Sequence, residues 1–166
     1  MEHKDTLLTI AELAVALAGF ASIVSVFAQR ADDSVRASDA HRLRLMLEVA
    51  LRNAAFAVLP LPFLSAFPAD PVLWRVFSGL YVAVAFVYGY FRIGDSRRAG
   101  PRWLALSTQV LLAGTLLVGT ANVIGLAGPY TFSLYAVNLL GGLAVSGLTF
   151  LGVAGSALGF EDALGD

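Results

Sequence analysis

The sequence predicts an all-α integral membrane protein, a bundle of about five transmembrane helices. Three observations carry this reading: five apolar stretches of membrane-spanning length, a charge content well below that of a soluble domain, and turn chemistry confined to short breaks between the stretches. Of 166 residues, 58% are hydrophobic and 14% charged, with a mean hydropathy of +0.76. A soluble domain carries about 25% charged residues, and it needs them because a small body has much surface to keep wet. A surface this poor in charge is suited to lipid.

About 20 residues of helix cross a hydrocarbon core of about 30 Å. By that measure the spans run over 7–28, 43–67, 72–93, 103–127 and 131–160. The last is long enough to tilt or to lay its end along the membrane surface. The breaks between spans hold turn formers: Phe67-Pro68-Ala69-Asp70-Pro71, the Gly-Asp-Ser-Arg-Arg-Ala-Gly-Pro run over 94–101, and Ala127-Gly128-Pro129. Short breaks make consecutive helices antiparallel neighbours. Residues 1–166 therefore read as a single transmembrane domain, since no polar stretch is long enough to fold apart.

Orientation follows from Lys and Arg. The first connection and its flanks hold Arg30, Arg36, Arg42 and Arg44, and the third holds Arg92, Arg97, Arg98 and Arg102. The second has no basic residue before Arg75, the fourth has none, and the N-terminal tail has only Lys4. The expected topology is N-terminus outside and C-terminus cytoplasmic, in a cell membrane of the bacterial inner-membrane type. Trp74 and Tyr130 then fall at the outer boundary, and Tyr90 and Trp103 at the inner one. The first span is expected to stay attached rather than to be cleaved as a signal. Glu12 interrupts its apolar region, and the leading Met-Glu-His-Lys-Asp is not clearly positive.

Several function classes are disfavoured. A net charge of −1 makes no electrostatic case for nucleic acid. With no cysteine, and only His3 and His41 as histidines, neither a metal centre nor a thiol nucleophile is expected. The chain has no phosphate-binding glycine loop and no histidine-assisted serine, so neither a cofactor nor an enzyme is expected.

Ionisable groups inside a span cost about 2.5–3.5 kcal/mol at mid-helix and so call for a reason. Glu12 lies five residues into span one, about 7–8 Å below the boundary at 1.5 Å per residue. Thr9, Ala16 and Gly19 share its stripe, which suits close packing on a neighbour. Glu12 reads either as a proton- or cation-binding carboxylate or as a buried structural one. In span two, Arg44, Glu48 and Arg52 recur four apart on one face, with Asn53 beside them. Spans one and two run antiparallel, so a Glu48–Arg52–Glu12 network is the central expectation. It is either a clasp fixing helix register or the lining of a polar path. Pro60 and Pro62 remove backbone donors and should free carbonyls near residues 55–58, leaving a plain kink or an ion-coordinating break.

Span four aligns Thr108, Thr115, Gly119 and Asn122, and span five carries Asn138 at comparable depth, which predicts an Asn122–Asn138 amide pair. Gly142 and Ser146, and Gly155 and Gly159, repeat small residues four apart in span five, which favours close approach to a helix of this chain or of another. Arg75 beside Trp74 is expected to reach lipid headgroups. Two functions follow from these residues. One is a small channel- or transporter-like protein for an ion or small solute, with the polar path at spans one and two. The other is a non-catalytic accessory or scaffold subunit packed against another membrane protein. The bilayer, and either further copies of the chain or a membrane-protein partner, are the expected associates.

Overall fold

A computed structural model describes residues 2–28, 33–64, 66–67, 70–96 and 102–157. They form α1 (Glu2–Ala28), α2 (Asp33–Val58), the single turn α3 (Leu61–Leu64), α4 (Pro71–Ser96), α5 (Arg102–Val123), a 3-10 turn (Gly128–Tyr130) and α6 (Thr131–Ala157). The described residues contain no strand, and five of the helices are long and apolar enough to cross a membrane. The segments long and apolar enough to span are His3–Val24, Arg42–Leu64, Pro71–Phe91, Leu106–Val123 and Gly128–Val153. The first begins four residues earlier than expected, so Glu12 sits nine residues beyond its start, about 13–14 Å along the axis and close to its middle. The chain beyond 157, where the last span was expected to end, lies outside the described residues.

α6 is the central element: it packs on α1, α2, α4 and α5, while α1 packs on α2 and α4 on α5. Two apolar clusters lie along it. Toward the end that carries Trp74, the core is aromatic and draws on α1, α2, α4 and α6, with Phe56, Trp74, Phe77, Tyr81 and Tyr135 all buried. Toward the end that carries Arg42, the core shrinks to Ala21, Leu43, Met46 and Val153, from α1, α2 and α6 alone. Among the described side chains, α4 contributes to the first cluster as far as Ala85 and contributes none to the second. Large apolar side chains also cover the outside, Phe86, Phe91, Val110, Leu117 and Leu126 among them. In water such a surface would be an association liability.

The helix ends follow local chemistry. Asp70 caps α4, its Oδ1 accepting from the Val72 N–H at 2.8 Å, with Pro71 at the first helical position. α5 ends in a Schellman turn: Leu126 N–H donates to Ala121 C=O at 3.0 Å, and Gly125 N–H to Asn122 C=O at 3.1 Å. Gly125 takes φ +83° there, a left-handed conformation that glycine adopts without strain. The Arg75 guanidinium packs over this turn, since a Cβ on Gly125 would lie 3.3 Å from its Cζ. That puts a cation at the negative end of α5, a contact within the protein that the headgroup expectation for Arg75 did not include.

The Pro60 break is sealed. α2 stops at Val58, and Phe56 C=O, the carbonyl that a residue-60 N–H would have met, accepts instead from the Tyr135 hydroxyl at 2.5 Å. Ala55 C=O accepts from Leu59 N–H at 2.8 Å. An ion-coordinating break at Ala55 and Phe56 is therefore not what forms. Tyr135→Phe is expected to cost about 1–3 kcal/mol, because it leaves a buried carbonyl unpaired without opening a cavity. Chemical or thermal unfolding in detergent checks this. A midpoint equal to that of the unaltered protein would mean the hydroxyl is not needed there.

Candidate functional site

The expected Glu48–Arg52–Glu12 network does not form, and helical phase is the reason. α1 buries Leu7, Ile10, Ala11, Ala14, Ala18 and Ala21, a stripe at three- and four-residue spacing. Glu12 falls outside that stripe, as do Thr9, Ala16 and Gly19, and all four are exposed. A Cβ built on Gly19 would meet nothing within 4 Å. Depth alone would have let Glu12 approach Arg52; the face it occupies does not. The small stripe expected to pack on a neighbour has none within the described residues.

The polar residues of α2 instead meet α4. Glu48 takes the Arg44 Nε–H at 2.7 Å on Oε1 and the Tyr88 hydroxyl at 2.6 Å on Oε2. The guanidinium carbon of Arg52, one turn further on, lies 5.1 Å from the Tyr88 ring centroid and 5.6 Å from that of Tyr81. Both are cation–π distances. Asn53, fully buried, accepts the Tyr81 hydroxyl on Oδ1 at 2.9 Å and donates Nδ2 to Val49 C=O at 2.9 Å. Arg44, Glu48, Tyr88, Arg52, Tyr81 and Asn53 thus make one polar line between α2 and α4. It runs from the Arg42 end to the middle of the bundle.

Accessibility falls along this line. The Arg44 side chain is 70% exposed and that of Glu48 30%; Arg52 is intermediate, Tyr81 is 2% exposed and Asn53 0%. The line ends against α6 at Gly142, where an added Cβ would sit 2.5 Å from Asn53 Oδ1 and would also overlap the Tyr81 hydroxyl. Beyond it lie Phe56, Phe77 and Tyr135, so the aromatic cluster closes the Trp74 side. Beside Tyr88, on the exposed face of α4, an apolar recess of about 440 Å³ is lined by Ala83, Val84, Val87 and Phe91.

Glu48 and Arg52, expected to pair within α2, are not an ion pair: Glu48 turns back to Arg44, and among the described residues no carboxylate pairs with Arg52. The Arg52 Nε is buried without a hydrogen-bond partner.

The second expected pair is also absent. Asn122 is fully buried and donates Nδ2 to Ser78 Oγ at 2.8 Å and to Thr131 C=O at 2.9 Å, tying α5 to α4 and to the start of α6. Asn138 does not meet it. It faces Gly119, one turn away, where an added Cβ would lie 2.6 Å from its Nδ2. Among the described residues neither Asn138 Nδ2 nor Oδ1 has a partner, and Asn122 Oδ1 has none either. Of the span-four stripe, Thr115, Gly119 and Asn122 are buried, Thr115 against Gly141. Gly142 and Ser146 face α2 of the same chain, Ser146 Oγ donating to Met46 C=O at 3.1 Å. The side chains around Gly155 and Gly159 lie outside the described residues.

An amide with both polar atoms unpaired in an apolar contact is a net cost of about 1–3 kcal/mol. Asn138→Leu, close in volume, is therefore expected to raise the thermal midpoint. A fall would mean that the amide has a partner in the folded protein.

Sequence reading missed Tyr81 and Tyr88. The signal was present: Ser78, Tyr81, Ala85 and Tyr88 recur at helical spacing on one face of α4 and mark it as the hydroxyl-bearing side of an otherwise apolar span. No family model matches the chain, and no curated protein or solved structure does.

Proposed function

We propose that this is a small multi-pass membrane protein, N-terminus outside and C-terminus cytoplasmic, that acts as a channel- or transporter-like carrier of an ion or small solute. The polar path lies between α2 and α4 rather than along spans one and two. The observation that carries the reading is the graded line from Arg44 through Glu48 and Arg52 to Asn53, exposed at the end that carries Arg42 and Arg44, which the proposed orientation makes cytoplasmic, and closed on the other side by packed aromatics. A clasp that only fixed helix register would gain by pairing every charge. Here Arg52 stands at mid-span with tyrosine rings for neighbours and, among the described residues, no carboxylate partner. Because the path is blind, passage requires α4 or α6 to shift and open the aromatic side. The test is solute flux in proteoliposomes, with Arg52→Gln and Glu48→Gln proteins compared at equal incorporation.

A second reading, an accessory or scaffold subunit, draws on a different observation. Glu12 sits exposed near mid-span on α1, where bare lipid would penalise it by about 2.5–3.5 kcal/mol. A further copy of this chain or another membrane protein covering the Thr9–Glu12–Ala16–Gly19 stripe would remove that penalty. Native mass in mild detergent separates the two. A partner that leaves on Glu12→Leu substitution favours the scaffold, whereas a lone protomer with measurable flux favours the carrier.

A further inference from the structure

We propose that Arg52 is a binding site for a small monovalent anion, a carboxylate or an inorganic oxyanion, held at the deep end of the α2–α4 path. The route to the site rests on the carrier reading given above; the chemistry of the site does not.

The argument begins with charge. An arginine guanidinium stays protonated in a protein, and Arg52 lies ten residues beyond Arg42, about 15 Å along its span. A charge at that depth is stable only if something compensates it. The carboxylate one turn away compensates it only at a distance, because Glu48 is turned to Arg44 at 2.7 Å and to Tyr88 at 2.6 Å. Tyr81 and Tyr88 supply ring faces, which attract the cation but leave its charge in place.

Geometry then narrows the ligand. With its central carbon over two tyrosine rings, the guanidinium can present its N–H groups as a planar fork that matches the two oxygens of a carboxylate or nitrate. The Nε–H belongs to that fork and has no hydrogen-bond partner among the described residues. Arg52 as a whole is neither fully buried nor fully exposed, but its Nε is buried, so an anion entering past Arg44 reaches that group only once the side chain shifts to uncover it; Asn53 and Tyr81 behind it are sealed. Cations are repelled at the same point. Glu48 opposes the anion from one turn away, which keeps binding weak enough for release.

The experiment is calorimetric titration of the full chain in a neutral detergent with nitrate and with formate, each as its sodium and its choline salt. Saturable binding that does not depend on the cation is expected. Arg52→Gln should weaken it about tenfold or more, the scale of a lost charge-assisted hydrogen bond. Glu48→Gln keeps Arg52 and removes the opposing charge, and should tighten binding about threefold or more. Unchanged affinity in Arg52→Gln, weaker binding in Glu48→Gln, or a dependence on sodium overturns the proposal. If Arg52→Gln protein does not fold, the Glu48→Gln arm and the cation comparison still decide. Anion binding through Arg52 in a protein whose vesicles carry no flux would sink the carrier reading and keep the site. Cation flux without nitrate or formate binding would do the reverse.

Discussion

Gly142→Ala is expected to lower the thermal midpoint by about 2–12 °C, and Gly142→Leu to prevent the native packing altogether. An overpacked contact costs about 1–3 kcal/mol, and 1 kcal/mol moves the midpoint of a domain of this size by about 2–4 °C. The substitution is severe because nothing at the contact can yield. The new Cβ would lie 2.5 Å from Asn53 Oδ1 and 2.6 Å from Nδ2. Asn53 is held by Tyr81 and Val49, and both Asn53 and Tyr81 are buried. Relief requires α6 to retreat from α2 and α4 together, which also loosens the Ser146–Met46 and Tyr135–Phe56 hydrogen bonds along the same face. Gly147 is the control: an added Cβ there meets nothing within 4 Å, so Gly147→Ala should be neutral or gain up to about 1 kcal/mol from helix propensity. Equal losses at the two glycines would show that close approach at Gly142 is not what holds the helices together.

If the proposed path carries solute, Arg52→Gln is expected to reduce flux about tenfold or more while leaving the protein folded, because Arg52 is the deepest charge on that line and among the described residues takes part in no ion pair. Its removal relieves a desolvation cost rather than leaving a carboxylate stranded, so the thermal midpoint should hold or rise. Glu48→Gln divides the effects differently. It loses the ion pair to Arg44, which is exposed and contributes at most about 1 kcal/mol, while a glutamine can still accept from Tyr88. Flux in Glu48→Gln vesicles should therefore change in rate or selectivity rather than vanish. If Arg52→Gln vesicles carry solute as fast as unaltered ones, the α2–α4 line is not the path. A large fall in midpoint without a change in flux would make it a structural clasp.

Much of the bundle was legible from residues alone because its determinants are local. Asp70-Pro71 starts α4 as an N-cap and a first-turn proline must. Pro60 ends α2 two residues before itself. The missed features are pairwise. Glu48 has a candidate cation four residues away on either side, and nothing in the spacing chooses Arg44 over Arg52. The Tyr88 hydroxyl, from another helix, accompanies that choice. Asn122 and Asn138 have the right depth to pair, yet Ser78 and the Thr131 carbonyl meet the Asn122 Nδ2 hydrogens, and Asn138 turns to Gly119. The tyrosine that closes the Pro60 break lies 79 residues away along the chain from the carbonyl it serves.

By itself the sequence determined that five helices are long and apolar enough to cross a membrane, where they break, and how far along its helix each costly charge sits. Those properties depend on composition and on a rise of 1.5 Å per residue. Tertiary structure alone decided which way each helix faces. In a soluble protein an apolar stripe marks the buried side. Here apolar residues cover both sides: Leu139 is buried and Leu140 exposed, Phe77 buried and Phe86 exposed. On α2, α4, α5 and α6 the contrast between inside and outside is weak, and glycine contacts and hydroxyl hydrogen bonds between helices mark the buried faces, bringing Arg52 to the tyrosines of α4. On α1 the buried Leu7–Ala21 stripe leaves Glu12 outside.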